Sequence, residues 1–431
     1  MLWLPTKKWH KAIACLTWRR RRQHGARLLL WCFVCFGLTT ATAPPKFALS
    51  VEIAELTHAY QFDFVDWETQ AITNEIWRQL WATSPQTNTT ELIQTFLKQE
   101  AQLEQRQAEL HKIFVSQADP QRKSESLTQE LAILRAEQAR LIPQVEMALV
   151  AQVESVLRDE GFTIAGHVFP PVAFRLIEPP TLLIISPRNK IERQEWIGLQ
   201  PDLSDSLRHD LETALDQRAH VSSYITDLGG LGSYPTMVIR NTDLIYLVNT
   251  VIHEWVHNYL LTFPTKIAWA YSTEPQLRTI NETTASIVGQ ELGRRVITRY
   301  YPAWIDRLPP PTPAANQKKS TPAKPSEYAL TMRRIRQEVD RLLAEGKIEQ
   351  AESFMEVERQ KLVKKGYGLR KLNQAYFAFH GSYALSAGSI DPTGDQIRHL
   401  WAISPSAKSF LDRVGWLNSY EDYLAWLKES N

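Results

Sequence analysis

Five consecutive residues carry the clearest chemistry in the chain: His253-Glu254-Trp255-Val256-His257. They lie within residues 241–261, where Leu244, Leu247, Val248, Val251, Ile252 and Trp255 recur at three- and four-residue spacing, which predicts a helix. Thr242 or Asp243 supplies its N-cap. On a helix, His253 and His257 stand one turn apart on one face. Two imidazoles so placed reach one Zn²⁺ at about 2.0–2.1 Å each. Glu254 is one step round the helix, beside the metal rather than aimed at it. That is the place for a general base that deprotonates a water activated by the ion. The bland alternative is two ordinary histidines and a solvated glutamate, and the next helix weighs against it.

That second helix spans 276–297. Ile280, Thr284, Ile287, Val288 and Leu292 mark its buried stripe, and Glu282 lies close to the stripe. A carboxylate there is costly unless it is paired or bound to a metal. Glu282 follows His257 by 25 residues, room for a turn and an antiparallel return. It completes a His₂Glu ligand set and leaves the fourth position for water. Glu291 is a rival ligand, two and a half turns further on.

The pair His253-Glu254-x-x-His257 and Asn281-Glu282-x-x-Ala285 resembles the gluzincin metallopeptidases, whose third ligand lies in an N-E-x-x-A segment. From about residue 160 onward the layout also resembles a bacterial family of predicted, membrane-associated aminopeptidases, with 369–376 and 410–414 as looser similar stretches. The resemblance implies zinc ligation by His253, His257 and Glu282, Glu254 as base, and a peptide or protein substrate. It also implies a downstream Tyr or His that stabilises the oxyanion of the tetrahedral intermediate. Tyr376, His380 and Tyr383, near one side of a helix expected over 371–387, are the candidates, and Tyr376 is preferred. One departure matters. The aminopeptidases of this clan carry an upstream Gly-x-Met-Glu-Asn type motif whose Glu holds the substrate's free amine. Between Gly229 and Asn249 this chain has Met237 but no Glu. The resemblance therefore implies a metallohydrolase more firmly than an exopeptidase.

The elements that must position these residues predict an α+β, mostly helical fold: a zincin-like catalytic core with a small antiparallel sheet, an N-terminal helical hairpin and a C-terminal helical region. One or two strands lie within 174–187, interrupted by Pro179-Pro180. A helix at 202–218 is capped by Ser204 or Asp202, and strands follow at 221–225 and 237–239. An edge strand of such a sheet can pair with an extended peptide. Gly229-Gly230-Leu231-Gly232 is read as a hairpin turn, since no G-K-[ST] follows to make a phosphate loop.

Upstream, 50–82 reads as amphipathic helix. The leucine-rich spacing of 90–118 and 123–159 reads as a hairpin with coiled-coil character, ended by Gly161. It serves either as a packing arm or as a homodimer contact. Residues 308–326 form a Pro/Lys-rich linker with too little apolar content to pack. Helices resume at 327–345, 348–365 and 371–387, then 393–402, 406–414 and 419–429, punctuated by Gly346, Gly366 and Gly388. The expected units are thus 1–44, 45–160, 161–307, 308–326 and 327–431.

The first 44 residues bear on location. Lys7, Lys8, Lys11, Arg19 to Arg22 and Arg27 precede an apolar run, 28–38, and the small residues Ala41-Thr42-Ala43. This is the pattern of a signal sequence. Pro44 is a poor context for cleavage, so an uncleaved membrane anchor is the alternative to secretion. Either way the later residues are placed outside the cytoplasm. A net charge of +2 gives no reason to expect nucleic acid. All three cysteines, Cys15, Cys32 and Cys35, fall in this segment, which excludes thiolate chemistry and disulfides after residue 35. The expected function is zinc-dependent peptide hydrolysis. The alternatives are a non-enzymatic zinc-stabilised envelope scaffold and a zinc hydrolase of a non-peptide amide.

Overall fold

Local capping and pairing decide where each segment begins and ends. The computed structural model describes residues 51–81, 89–116, 120–309, 326–381 and 392–430, a mostly helical chain with small sheets. The apolar run at 28–38, the three cysteines, most of the Pro/Lys-rich stretch (310–325), Tyr383 and Gly388 lie outside these residues. Among the described residues no helix is long and apolar enough to cross a membrane.

The single helix expected over 50–82 is divided. α1 (Val51–Thr57) runs into a 3₁₀ turn (His58–Tyr60), and α2 (Phe64–Trp81) follows. Between them the backbone turns aside to pair with 198–200: Phe62 N–H donates to Gly198 O at 3.0 Å, and Gln200 N–H to Tyr60 O at 2.7 Å. The Asp63 carboxylate then accepts the Asp66 N–H at 2.9 Å and opens α2.

The hairpin appears as α3 (Thr89–Ser116) and α4 (Pro120–Asp159), packed side by side. At its base Ile93, Phe96 and Leu97 join Val145, Ala148, Leu149 and Val153 in the main apolar cluster. Further out Leu103 and Leu131 are buried. The buried part of the apolar spacing thus lies between two arms of one chain. Gly161, at φ +84°, turns the chain after α4, a conformation that favours glycine.

The strands form three small sheets rather than one. β1 (Thr163–Ile164) and β2 (His167–Val168) make a short hairpin. β4 (Thr181–Pro187) lies between β5 (Glu195–Leu199) and β6 (Val221–Thr226), all antiparallel. β3 (Phe174–Ile177) instead pairs parallel with β8 (Thr236–Ile239), whose other side carries the antiparallel β7 (Gly230–Leu231). The expected antiparallel sheet is therefore present, but the sheet next to the helix that carries His253 and His257 is mixed. Pro179-Pro180 sends β3 and β4 apart, since proline fixes φ and has no N–H to donate. β5 had no counterpart among the expected strands. α5 (Asp205–Arg218), capped by Ser204, lies between β5 and β6 in the chain.

α6 (Leu244–Leu261), α7 (Lys266–Trp269) and α8 (Pro275–Tyr300) follow. α6 and α8 pack closely because α8 carries glycines where they meet. A Cβ at Gly289 would lie 2.8 Å from the Asn249 carbonyl oxygen, and one at Gly293 would lie 2.0 Å from Asn249 Oδ1. After a 3₁₀ turn (Pro302–Arg307) come α9 (Glu327–Ala344), α10 (Ile348–Lys364) and α11 (Gln374–His380). The last three are α12 (Thr393–Ile403), α13 (Ala407–Gly415) and α14 (Tyr420–Glu429).

The apolar clusters cut across the sequence segments. Ile397, Leu400, Phe410, Leu411, Val414, Tyr423 and Trp426 share the cluster of α6 and α8. α9 and α10 make a second cluster with Tyr376 and Phe377. α11 lies on β4 and β6, where Ala375 and Phe379 meet Leu182, Ile184 and Leu228.

Candidate metal centre

α6 starts where Asp243 accepts the N–H groups of Ile245 and Tyr246, at 2.8 and 3.3 Å. That start sets the rotation of the helix. Trp255 and Val256 turn into the core, and His253 and His257 turn together towards α8. Their Nε2 atoms lie 3.1 Å apart. Two nitrogens held at about 2.0–2.1 Å by one tetrahedral ion would lie about 3.3 Å apart, so the observed spacing fits.

Glu282 comes from α8, with Oε2 at 3.4 Å from His253 Nε2 and Oε1 at 3.7 Å from His257 Nε2. Oε2 is buried and makes no hydrogen bond among the described residues. The donor set is therefore two imidazoles and a carboxylate, converging within 4.8 Å of one another, and it could hold a metal ion. Glu291 is not part of this group. The two histidine side chains keep 18 % and 15 % of their surface exposed, so the group is reachable from solvent while Glu282, at 4 %, is enclosed.

Neighbours orient the ligands. Asn281 Nδ2 donates to Ile267 O at 2.8 Å, which leaves its Oδ1 to accept from His257 Nδ1–H at 2.7 Å. That bond puts the proton of His257 on Nδ1 and leaves Nε2 as a lone pair for an ion. Ser286 Oγ lies 3.4 Å from His253 Nδ1 and plays the weaker, matching part. Tyr271, in the turn between α7 and α8, donates its hydroxyl to Glu282 Oε1. Burial alone would raise Glu282. The neighbouring His257 and His253, with the hydrogen bond from Tyr271, outweigh it and hold the carboxyl at about 2.

Glu254 is buried and stands apart from the three ligands. Burial, with the Glu282 charge adding to it and the His253 charge opposing, pushes its carboxyl up to about 7. β7 passes directly over it. A Cβ at Gly230 would lie 2.5 Å from Glu254 Oε1, whereas one at Gly232 would clear Oε2 at 3.6 Å. Within the segment expected as a hairpin turn, Gly230 and Leu231 form the terminal strand of their sheet, laid against Glu254.

Tyr376 lies on α11. Its hydroxyl faces that of Tyr328 at 3.4 Å, and its ring packs on Tyr224, Phe377 and His380. Burial draws His380 down to about 4, so it is neutral at pH 7. The tyrosine that touches the ligand set is Tyr271, which sequence reasoning passed over. Its signal was only a lone aromatic between His257 and Glu282. Asn281 was visible as part of the motif, but its hydrogen bonds were not.

No protein-family description, curated protein or solved structure matches the chain.

Proposed function

We propose that the chain is a gluzincin-like, zinc-dependent metallopeptidase. The observation that carries this reading is the convergence of His253, His257 and Glu282 beside the buried Glu254, under a strand edge. Zinc held by that set would supply Lewis acidity for attack of water on a peptide carbonyl. His253, His257 and Glu282 hold the ion, Asn281 fixes the tautomer of His257, and Tyr271 orients Glu282. Glu254 takes the proton of the water and returns it to the leaving amine, a role suited to a carboxyl near neutrality. The substrate lies extended along β7 and pairs with its backbone, next to Glu254. The basic and apolar N-terminal segment supports action outside the cytoplasm, either tethered to the membrane or secreted after cleavage.

The test is zinc content by elemental analysis after metal reconstitution, alongside turnover of a peptide library. The parent should hold one zinc per chain, and His253→Ala and Glu282→Ala should lose it. Glu254→Gln should keep the zinc and lose about 10²–10⁴-fold in turnover, the usual worth of a general base. A parent that binds no zinc would overturn the enzyme reading. A parent that binds zinc but cleaves nothing would point to the scaffold.

A further inference from the structure

A cation stands beside the candidate metal ligands, and no carboxylate among the described residues pairs with it. Arg193 lies in the loop between β4 and β5, and its guanidinium carbon is 5.3 Å from the centre of the Tyr271 ring. The Tyr271 hydroxyl reaches Glu282, and the ring centre lies 6.2 Å from that of His257. Arg193 is thus separated from the ligand set by a single side chain. Its Nη2 is buried and makes no hydrogen bond among the described residues. The acids near it in sequence are engaged elsewhere or indifferent to it. Glu192 pairs with Lys190, while Glu195 keeps its own Oε2 unbonded and is raised by burial alone. A guanidinium donor withdrawn from water without an acceptor is costly, and such a fork matches a planar carboxylate. The loop does not have to place a cation there for packing: Ile191, two residues earlier, makes the apolar contact with the α9–α10 cluster.

We propose that Arg193 is a specificity-determining residue that receives a carboxylate of the substrate. This rests on the peptidase reading above and deepens it. The chain lacks the upstream Glu that would hold a free amine, and it offers a cation instead. The carboxylate belongs either to a peptide C-terminus or to an Asp or Glu side chain, and the experiment separates these.

A randomised hexapeptide library is prepared as free acids and as C-terminal amides, and zinc-loaded protein is given each, with products read by mass spectrometry. Binding of both forms to Glu254→Gln protein is measured by calorimetry. The expected result is a preference of about 10- to 100-fold for the free acid, the range for a hydrogen bond to a charged group. Arg193→Gln should collapse that preference in both readouts while zinc content stays at one per chain. If the amide library is instead cut and bound selectively beside Asp or Glu, and Arg193→Gln removes that selectivity, the carboxylate is that of a side chain and the proposal stands. Cleavage of both forms at equal rates with no acidic preference overturns the proposal and leaves the peptidase intact. So does an Arg193→Gln variant that slows every peptide by one factor. Neither cleavage nor binding of either form overturns both.

Discussion

At the scale of single residues, the candidate centre depends on atoms beyond its three converging side chains. Asn281 is held by its bond to Ile267 O and in turn fixes which nitrogen of His257 carries the proton. Asn281→Ala removes that control, and zinc affinity should fall by about 10- to 100-fold, as for other outer partners of metal ligands. Competition against a chelator reads this directly, and a fall shared by the melting temperature of zinc-free protein would assign the effect to folding instead. Glycines set a second test. Gly230→Ala drives a Cβ into Glu254 and should cut turnover with zinc retained, whereas Gly232→Ala, whose Cβ clears Glu254 Oε2 by 3.6 Å, should be nearly neutral. Equal losses in the two variants would refute the close approach. The ligands were legible in the sequence because spacing on one helix translates directly into a face. Tyr271 and Arg193 were not, since each reaches the site from a loop whose position is set by the tertiary fold. Tyr376 is on a helix that was legible, but nothing local says which partners that helix packs on; they include Tyr224 and Tyr328.

At the scale of elements, two seams join helices, and each has a weak point. α6 and α8 approach through Gly289 and Gly293, and a Cβ at Gly289 would also stand 3.3 Å from His253 Cβ. Gly293→Ala should destabilise by about 1–3 kcal/mol, the usual cost of overpacking, and lower the melting temperature. In the hairpin, Glu100 is buried and accepts from the Gln138 amide. Burial raises its carboxyl above the ordinary 4.5, although Gln138 and Arg240 pull the other way. A raised value means that the folded state holds the proton more tightly than the unfolded one. The corresponding stability is full below the unfolded value and is lost as pH rises through the folded one. Glu100→Gln should therefore raise the melting temperature at pH 7 and bring no such gain below pH 4.5. A gain of the same size at both would show that charge is not the cause. Most helices after residue 200 were readable to within a few residues, Ser204 and Asp243 announcing two starts by capping, whereas the break within 50–82 and the short α7 were not. The strands were less so. β5 has a glycine at its fourth position, required because a Cβ at Gly198 would lie 2.4 Å from the Phe64 ring, and that contact is long-range.

At the scale of the whole molecule, the question is what holds residues 327–431 to the rest once the stretch 310–325 is discounted. Charged contacts tie the residues just before α11 to α5, and α10 to the residue after β4. Arg370 donates to both carboxylate oxygens of Glu212, at 2.8 and 2.7 Å, and to Ile225 O at 2.7 Å. Lys371 pairs with Asp216 at 2.8 Å, and Arg188 binds Glu352 through two nitrogens, at 2.9 and 2.6 Å. Glu212 is fully buried, so Arg370→Ala leaves its carboxylate with Ile225 N–H at 2.6 Å and Lys371 at 3.6 Å. Losing one partner of a buried pair costs about 3–5 kcal/mol, and the partial exposure of Arg370 argues for the lower end. The apolar attachment is separate. α12, α13 and α14 contribute Ile397, Leu400, Phe410, Val414, Tyr423 and Trp426 to the same cluster as α6 and α8, so those two helices are packed partly by the last three. These two attachments predict different outcomes when a protease site placed within 310–325 is cut. The nicked protein should elute as one species in high salt, because the apolar contacts are not screened. Arg370→Ala should lower its melting temperature by several degrees without separating the pieces. If the nicked parent instead falls into two species, the shared cluster does not hold the molecule together, and α6 and α8 must be stable without the last three helices.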